Sequence, residues 1–181
     1  ALFYAARIPV ETQAPPPPQP AELEVVSHPV FTLPDMEGAE REFAEWDGSH
    51  RLINFWATWC APCRREIPLL KTFQDEHGDD GFQVLGIAVD YPEEVTMYAE
   101  EAQFNYPVLV GQQDAMAVAE SSGIEFIGMP FTMFVTRDGE YVGAYIGELH
   151  QSHLDDVVTI LTRLDNGEIT KDEARGAFEL L

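Results

Sequence analysis

Short apolar runs recur along the chain and predict the strands of a buried sheet. Residues 51–57 (RLINFWA), 82–90 (FQVLGIAVD) and 107–111 (PVLVG) are near-continuous apolar segments, and residues 31–35 (FTLPD) predict a shorter strand. Strands that are buried on both faces of a sheet have such runs. Further along, FTMFVT and EYVGAYIG flank an Asp-Gly pair, which predicts two strands joined by a hairpin turn.

Between these runs the apolar positions follow a helical period instead. Helices are predicted over residues 61–77, 92–104 and 114–121. Another helix follows the hairpin, and Ser152 is its predicted N-cap. The apolar face of that helix consists of Leu154, Val157, Val158, Leu161 and Leu164.

The order of these elements predicts an α/β fold with a mixed central sheet and helices on both faces. The length of 181 residues suits one domain, which we place at residues 29–165. Residues 1–28 contain PPPPQP and are predicted to be a polyproline II linker or tail. Residues 166–181 are predicted to be a C-terminal helical extension, because Thr170 and Glu173 have the spacing of a capping box.

The chain is strongly acidic, with a net charge of −22 from 32 acidic and 10 basic residues. Binding to a nucleic-acid backbone requires a basic surface, so a nucleic-acid partner is not expected. No apolar run reaches the length of a membrane span. The chain starts at Ala1 without a Met, which fits a removed signal or membrane anchor as well as an ordinary terminus.

The two cysteines of the chain, Cys60 and Cys63, allow three interpretations. As a structural disulfide they would close a loop of only about four residues, which stabilises a fold by about 2 kcal/mol. A zinc site needs two further Cys or His ligands at suitable spacing, and neither a second CxxC nor an HxxxH pair is present. A redox pair needs one thiol at a helix N-terminus and a second thiol one turn later, and this spacing provides both.

The predicted position of Cys60 favours the redox interpretation. Cys60 follows a strand and stands at the start of the predicted helix, where free N–H groups and the helix dipole stabilise a thiolate. Pro62 falls in the first turn, where its missing N–H costs nothing. We therefore expect an exposed Cys60 sulfur that forms a reversible disulfide with Cys63.

The stretch INFWATWCAPCRREIP resembles the active-site segment of thioredoxins, and most of all that of the TlpA/ResA/DsbE branch of periplasmic or membrane-tethered thiol–disulfide proteins. Asn54 stands where cytosolic thioredoxins carry a buried Asp, and Glu66 stands where this branch often has a Glu. Residues 92–111 resemble the extra helix–strand insert of the branch. The resemblance covers about residues 31–164.

The resemblance implies a thioredoxin fold and a thiol–disulfide oxidoreductase outside the cytoplasm. Cys60 would be the nucleophile and Cys63 the resolving thiol. Proteins of this branch mostly reduce protein disulfides during cytochrome c maturation or copper-site assembly. The implied partners are a protein disulfide substrate and an upstream thiol reductant, with a membrane tether before Ala1 as an option. No cofactor motif appears, so none is expected.

Four residues are predicted to bind the substrate. GMP at residues 128–130 matches the cis-proline site of the family, which implies that the Met129–Pro130 bond is cis and that Pro130 faces the cysteines. The backbone of Met129 could then pair with an extended substrate peptide. Trp59 is expected to shield the cysteine pair, and Pro62 lies within it.

Glu66 is the third predicted catalytic residue. It lies three residues after Cys63 and therefore shares a helical face with it. If buried, it could exchange a proton with Cys63 during the reaction. The alternative is an exposed Glu66 that pairs with a neighbouring Arg.

Two other functions remain alternatives at this point. Thiol peroxidases share the fold, but the Pro that opens their usual PxxxTxxC pattern is absent upstream of Cys60. A copper metallochaperone could use the CxxC pair, yet no Met-rich or His ligand set accompanies it.

Overall fold

The computed structural model describes residues 29–121, 123 and 126–181, so the predicted tail at 1–28 lies outside the described residues. The strands of this part are β1 (Thr32–Pro34), β2 (Glu40–Glu42), β3 (His50–Trp56), β4 (Phe82–Val89), β5 (Val108–Gly111), β6 (Phe131–Val135) and β7 (Tyr141–Ile146). The helices are α1 (Ala61–His77), α2 (Pro92–Ala102), α3 (Gln113–Glu120), α4 (Gln151–Asp165) and α5 (Lys171–Phe178), with a 3-10 turn at Phe43–Trp46.

The central sheet has five strands in the order β5-β4-β3-β6-β7. Strands β3, β4 and β5 are parallel, whereas β6 and β7 form an antiparallel hairpin next to β3. All seven residues of β3 are buried, as its apolar run predicts for the central strand. The predicted mixed sheet and its hairpin are therefore confirmed.

The two faces of the sheet carry separate apolar clusters because side chains alternate along each strand. Leu52 and Trp56 point to the face that is covered by α1, α2, α4 and α5. Ile53 and Phe55 point to the other face, where α3 and the β1–β2 region pack. Both cysteines belong to the first cluster, so the predicted redox site lies on the α1 face.

The start of α4 differs from the prediction. Its N-cap is His150, and the predicted cap Ser152 lies within the first turn. His153 Nδ1 accepts a hydrogen bond from the His150 N–H at 3.0 Å, and the His153 ring packs on Tyr145 with 4.3 Å between the ring centroids. The His153 ring therefore accepts from the N–H of the cap residue, which is the bond that the N3 side chain makes in a capping box. The usual preference for Ser at an N-cap does not indicate this arrangement.

Strand β2 was not predicted, because its sequence Glu-Arg-Glu has no apolar alternation. It forms through an antiparallel pairing with β1, in which Leu33 lies opposite Arg41. The positive charge of Arg41 in this strand is paired with Glu45 at 2.6 Å. The partner strand, and not the intrinsic preference of Glu40–Glu42, determines this element.

The helix α5 packs on the sheet through Phe178. The Phe178 ring stacks on Phe134 with 4.8 Å between the centroids, and both side chains are buried. Gly143 on β7 leaves room for this contact, because a Cβ atom there would lie 2.5 Å from the Cβ of Phe178. The packing of α5 on the sheet therefore requires a glycine at position 143.

Gly143→Ala should displace Phe178 and lower the free energy of unfolding by about 1–3 kcal/mol, the usual cost of overpacking. Urea unfolding followed by circular dichroism measures this change. Gly176→Ala is the matched control, because Gly176 is exposed within α5 and a Cβ there meets nothing within 4 Å. The control should be more stable than the parent by up to about 1 kcal/mol. Equal stability of Gly143→Ala and the parent would contradict the proposed contact.

Candidate functional site

Cys60 and Cys63 form a disulfide at the N-terminus of α1, with 5.3 Å between their Cα atoms. Cys60 has an extended backbone and is the N-cap of the helix, and its Sγ accepts a hydrogen bond from the Cys63 N–H at 3.4 Å. Pro62 lies in the first turn, as predicted. The arrangement places one sulfur at the positive end of the helix and the other one turn further.

The expectation of an exposed Cys60 sulfur is wrong for this oxidised state. Cys60 is 6% exposed and Cys63 is fully buried. Both pack in the apolar cluster on the α1 face, next to the partly buried Met129. Cys60 therefore keeps a small solvent-accessible area, whereas Cys63 keeps none.

The turn before Cys60 is fixed by Asp90, a residue that the sequence analysis did not select. The N–H and Oγ1 of Thr58 donate to Asp90 Oδ2 at 2.8 and 2.7 Å, and the Tyr91 N–H donates to Asp90 Oδ1 at 2.8 Å. Asp90 is only 6% exposed. Its position directly after β4 was the available signal, since the carboxyl ends of parallel strands meet at one edge of the sheet.

The two tryptophans on either side of this turn have opposite environments. Trp56 is fully buried, while Trp59 is 71% exposed. Tyr91, held on the far side of Asp90, is also exposed. Trp59 therefore presents an aromatic surface to solvent beside the disulfide.

The Met129–Pro130 peptide bond is cis, which confirms the prediction. Pro130 is buried and directly precedes β6, and Met129 is partly buried against the cluster that contains both cysteines. The Pro130 carbonyl accepts a hydrogen bond from the Gly147 N–H at 2.9 Å. The cis-proline turn is thereby connected to the segment between β7 and α4.

Glu66 is buried on α1, with only 1% of its surface exposed. Its Oε1 accepts from Asn54 Nδ2 and its Oε2 accepts from the Leu149 N–H, both at 2.7 Å. Burial raises the pKa of Glu66 to about 7, although both hydrogen bonds act in the opposite direction. The alternative of an exposed Glu66 paired with an Arg is therefore wrong, and the carboxyl can change its protonation state near neutral pH.

Asn54 connects this acid to the centre of the sheet. Its Nδ2 also donates to Thr132 Oγ1 on β6 at 3.0 Å, whereas its Oδ1 is buried without a protein partner. An ionised carboxylate accepts hydrogen bonds and donates none, so the NH2 group of the Asn54 amide faces Glu66. From the sequence alone, Asn54 is expected only to replace the buried Asp of cytosolic thioredoxins.

The described residues contain no group of three or more His, Cys, Asp or Glu side chains arranged to hold a metal ion. Within the same part of the chain, none of the helices combines the length and the apolar character that a bilayer span requires.

Comparison with known proteins gives the family. A profile described as the AhpC/TSA family matches residues 26–144, which is more than half of the chain. The chain belongs to the AhpC/TSA family. Within it, the chain is 30% identical over 113 residues to the thiol-disulfide oxidoreductase ResA of Geobacillus kaustophilus, and this match covers 62% of the chain and 63% of that protein.

Two further matches agree with this placement. The ResA protein of Halalkalibacterium halodurans is 25% identical over 132 residues, which is 72% of this chain and 73% of that protein. A thiol:disulfide interchange protein of the thioredoxin family from Chlorobium tepidum has a similar structure, with a TM-score of 0.68 and 26% identity over 78% of this chain and 99% of that chain. The resemblance to the ResA/DsbE branch and the predicted thioredoxin fold of this AhpC/TSA family member are thereby confirmed.

Proposed function

We propose that the protein is a thiol–disulfide oxidoreductase that reduces disulfides in other proteins. The observation that carries this proposal is the Cys60–Cys63 disulfide at the N-terminus of α1, close in sequence to a buried acid with a pKa of about 7. A structural role explains neither the short loop that the disulfide closes nor the burial of Glu66. The similarity to ResA proteins supports the same conclusion.

The reaction starts from the reduced pair. The Cys60 thiolate attacks one sulfur of the partner's disulfide, so that a mixed disulfide forms and one partner thiolate leaves. Cys63 then loses its proton and attacks Cys60 Sγ, which releases the second partner thiolate. The Cys60–Cys63 disulfide forms in this step, and two electrons have passed to the partner.

Glu66 receives the proton of Cys63 in this scheme. Both residues lie on one face of α1, and Cys63 has no access to bulk water in the oxidised state. A carboxyl with a pKa of about 7 is suited to this exchange, because it can both accept and return a proton near neutral pH. Asn54 and the Leu149 N–H orient the carboxylate.

The substrate-binding residues of the proposal surround the disulfide. Trp59 offers an exposed aromatic ring for apolar contacts with the partner. The cis turn at Met129 and Pro130 offers backbone groups to an extended substrate segment. Pro62 lies between the two cysteines in sequence and is partly exposed.

The proposal also covers the cellular compartment, the electron donor and the substrates. The protein works outside the cytoplasm, where an upstream thiol protein reduces the Cys60–Cys63 pair again. Its substrates belong to cytochrome c maturation or to copper-site assembly. The similarity to ResA proteins supports this setting.

The midpoint potential of the Cys60–Cys63 couple tests the direction of electron flow. A reductant should have a potential closer to that of thioredoxin, about −270 mV, than to that of the oxidant DsbA, about −120 mV. Equilibration with glutathione buffers of known ratio, followed by alkylation and mass spectrometry, gives the value. A potential near that of DsbA would make the protein an oxidase.

The same preparation separates the two alternatives. Rapid consumption of hydrogen peroxide by the reduced protein would replace the proposal with a thiol peroxidase. One tightly bound copper ion per reduced molecule would favour a metallochaperone instead.

A further inference from the structure

The segment at residues 147–149 contacts three parts of the site at once. The Gly147 N–H donates to the carbonyl of Pro130 at 2.9 Å. Glu148 pairs with Arg65 on α1, and the Leu149 N–H donates to Glu66 Oε2 at 2.7 Å. The cis-proline turn, the surface of α1 and the buried acid are therefore held by consecutive residues of one short segment.

The contact between Arg65 and Glu148 has the geometry of a forked ion pair. Arg65 Nε lies 3.0 Å from Glu148 Oε2, and Arg65 Nη2 lies 2.5 Å from the same oxygen. Arg65 follows Cys63 by two residues and precedes Glu66 directly. The pair therefore connects the segment to the part of α1 that carries the redox cysteine and the acid.

We propose that Arg65 is a positioning residue that acts through Glu148: it holds the 147–149 segment so that the Leu149 N–H stays on the Glu66 carboxylate. This inference rests on the proposed function, in which Glu66 exchanges a proton with Cys63. An isolated surface ion pair contributes little to stability, but here the pair fixes the donor of a buried hydrogen bond.

The sign of the effect follows from the groups around Glu66. Glu148 of the 147–149 segment repels the Glu66 carboxylate, and Tyr106, which precedes β5, interacts with the same charge. Cys63 lies on the same helix, α1. The uncharged Asn54 donates from β3. Loss of Arg65 weakens the Leu149 hydrogen bond, which favours the ionised acid, and leaves Glu148 without its cation. Both changes raise the pKa of Glu66.

Arg65→Met tests the proposal in the full chain. We expect the midpoint of the Glu66 titration, measured by carbon-13 NMR, to move upward by about half a pH unit. The midpoint of the pH profile of disulfide exchange should move with it. Arg64→Met is the matched control: Arg64 also lies exposed on α1, but it faces Tyr98 and Glu101 and not the 147–149 segment. The control should leave the titration of Glu66 unchanged.

Amide hydrogen exchange of Leu149 separates positioning from a simple charge effect. In Arg65→Met the Leu149 amide should exchange several-fold faster, and Arg65→Lys should restore part of its protection. A shifted titration with unchanged Leu149 exchange would overturn the positioning role, and so would an unchanged titration. If the unmodified protein reduces no disulfide at all, the proposed function fails, while the NMR and exchange measurements still decide the role of Arg65.

Discussion

Cys63→Ser protein is expected to complete no turnover and to accumulate as a mixed disulfide between Cys60 and its partner. Without the Cys63 thiol, nothing inside the protein can attack Cys60 Sγ and release the partner. Cys60 is the better candidate for attack on a partner, because it is 6% exposed whereas Cys63 is fully buried. The helix N-terminus at Cys60 also stabilises its thiolate for the first attack.

The measurement uses reduced Cys63→Ser protein and an excess of an oxidised model protein. Non-reducing electrophoresis and mass spectrometry should show one partner molecule per chain, attached at Cys60 and released by dithiothreitol. Cys60→Ser is the matched control, and its buried Cys63 should form no comparable adduct. Trapping by Cys60→Ser alone would reverse the roles of the two cysteines.

The parts of the fold that follow from local pattern were predictable. The fully buried run of β3 marks the central strand, and the capping box of Thr170 and Glu173 marks the start of α5. The position of Cys60 at a helix N-terminus follows from the strand before it and from Pro62 after it. In each case the residues that determine the structure are neighbours in the sequence.

Features that depend on distant residues were not visible in the sequence. Arg51 opens the apolar run of residues 51–57 and is fully buried. Its Nη1 pairs with the nearby Asp47 at 2.6 Å, but its Nη2 donates to the Thr136 carbonyl, 85 residues away, at 2.7 Å. The Leu149 N–H that binds Glu66 is 83 residues from it. Helical spacing placed Glu66 on the face of Cys63, but no local pattern could supply this donor.

The exposure of Cys60 also depends on residues that are distant in the sequence. A helix N-terminus predicts where the sulfur lies along the chain, but not how closely the neighbouring elements pack on it. The apolar cluster that surrounds the disulfide includes residues from α2, α4 and the turn at Met129. Burial of the sulfur is thus a property of the assembled fold, which the sequence around Cys60 does not contain.

Glu66→Gln should remove the part of the pH dependence of stability that Glu66 causes in the oxidised protein between about pH 4.5 and pH 7. Burial lowers the pKa of His50, and the pH dependence from that group stays the same in the variant and the parent. Folding raises the pKa of Glu66 from 4.5 to about 7. The folded parent therefore binds this proton more tightly than the unfolded chain does. The contribution of Glu66 to the free energy of unfolding therefore falls as the pH rises through this interval, by up to about 3 kcal/mol.

Gln fits the site because Asn54 can adapt to it. The Leu149 N–H can donate to the Gln oxygen, and the unpartnered Asn54 Oδ1 can accept from the Gln amide after the Asn54 amide rotates. We therefore expect Glu66→Gln to exceed the parent in stability at about pH 8 and to lose that advantage below about pH 4.5. Urea unfolding at several pH values measures the difference.

The same substitution should slow disulfide exchange near neutral pH, because Gln cannot accept the proton of Cys63. A general acid or base typically contributes a factor of about a hundred or more, so a loss of that order is expected. The pH dependence that the parent shows around pH 7 should also disappear. Glu76→Gln, an exposed position on the same helix, is the matched control and should retain the parent's rate and stability profile. A Glu66→Gln protein that is more stable at high pH, yet exchanges disulfides at the parent's rate, would leave Glu66 as a buried acid without a part in the reaction.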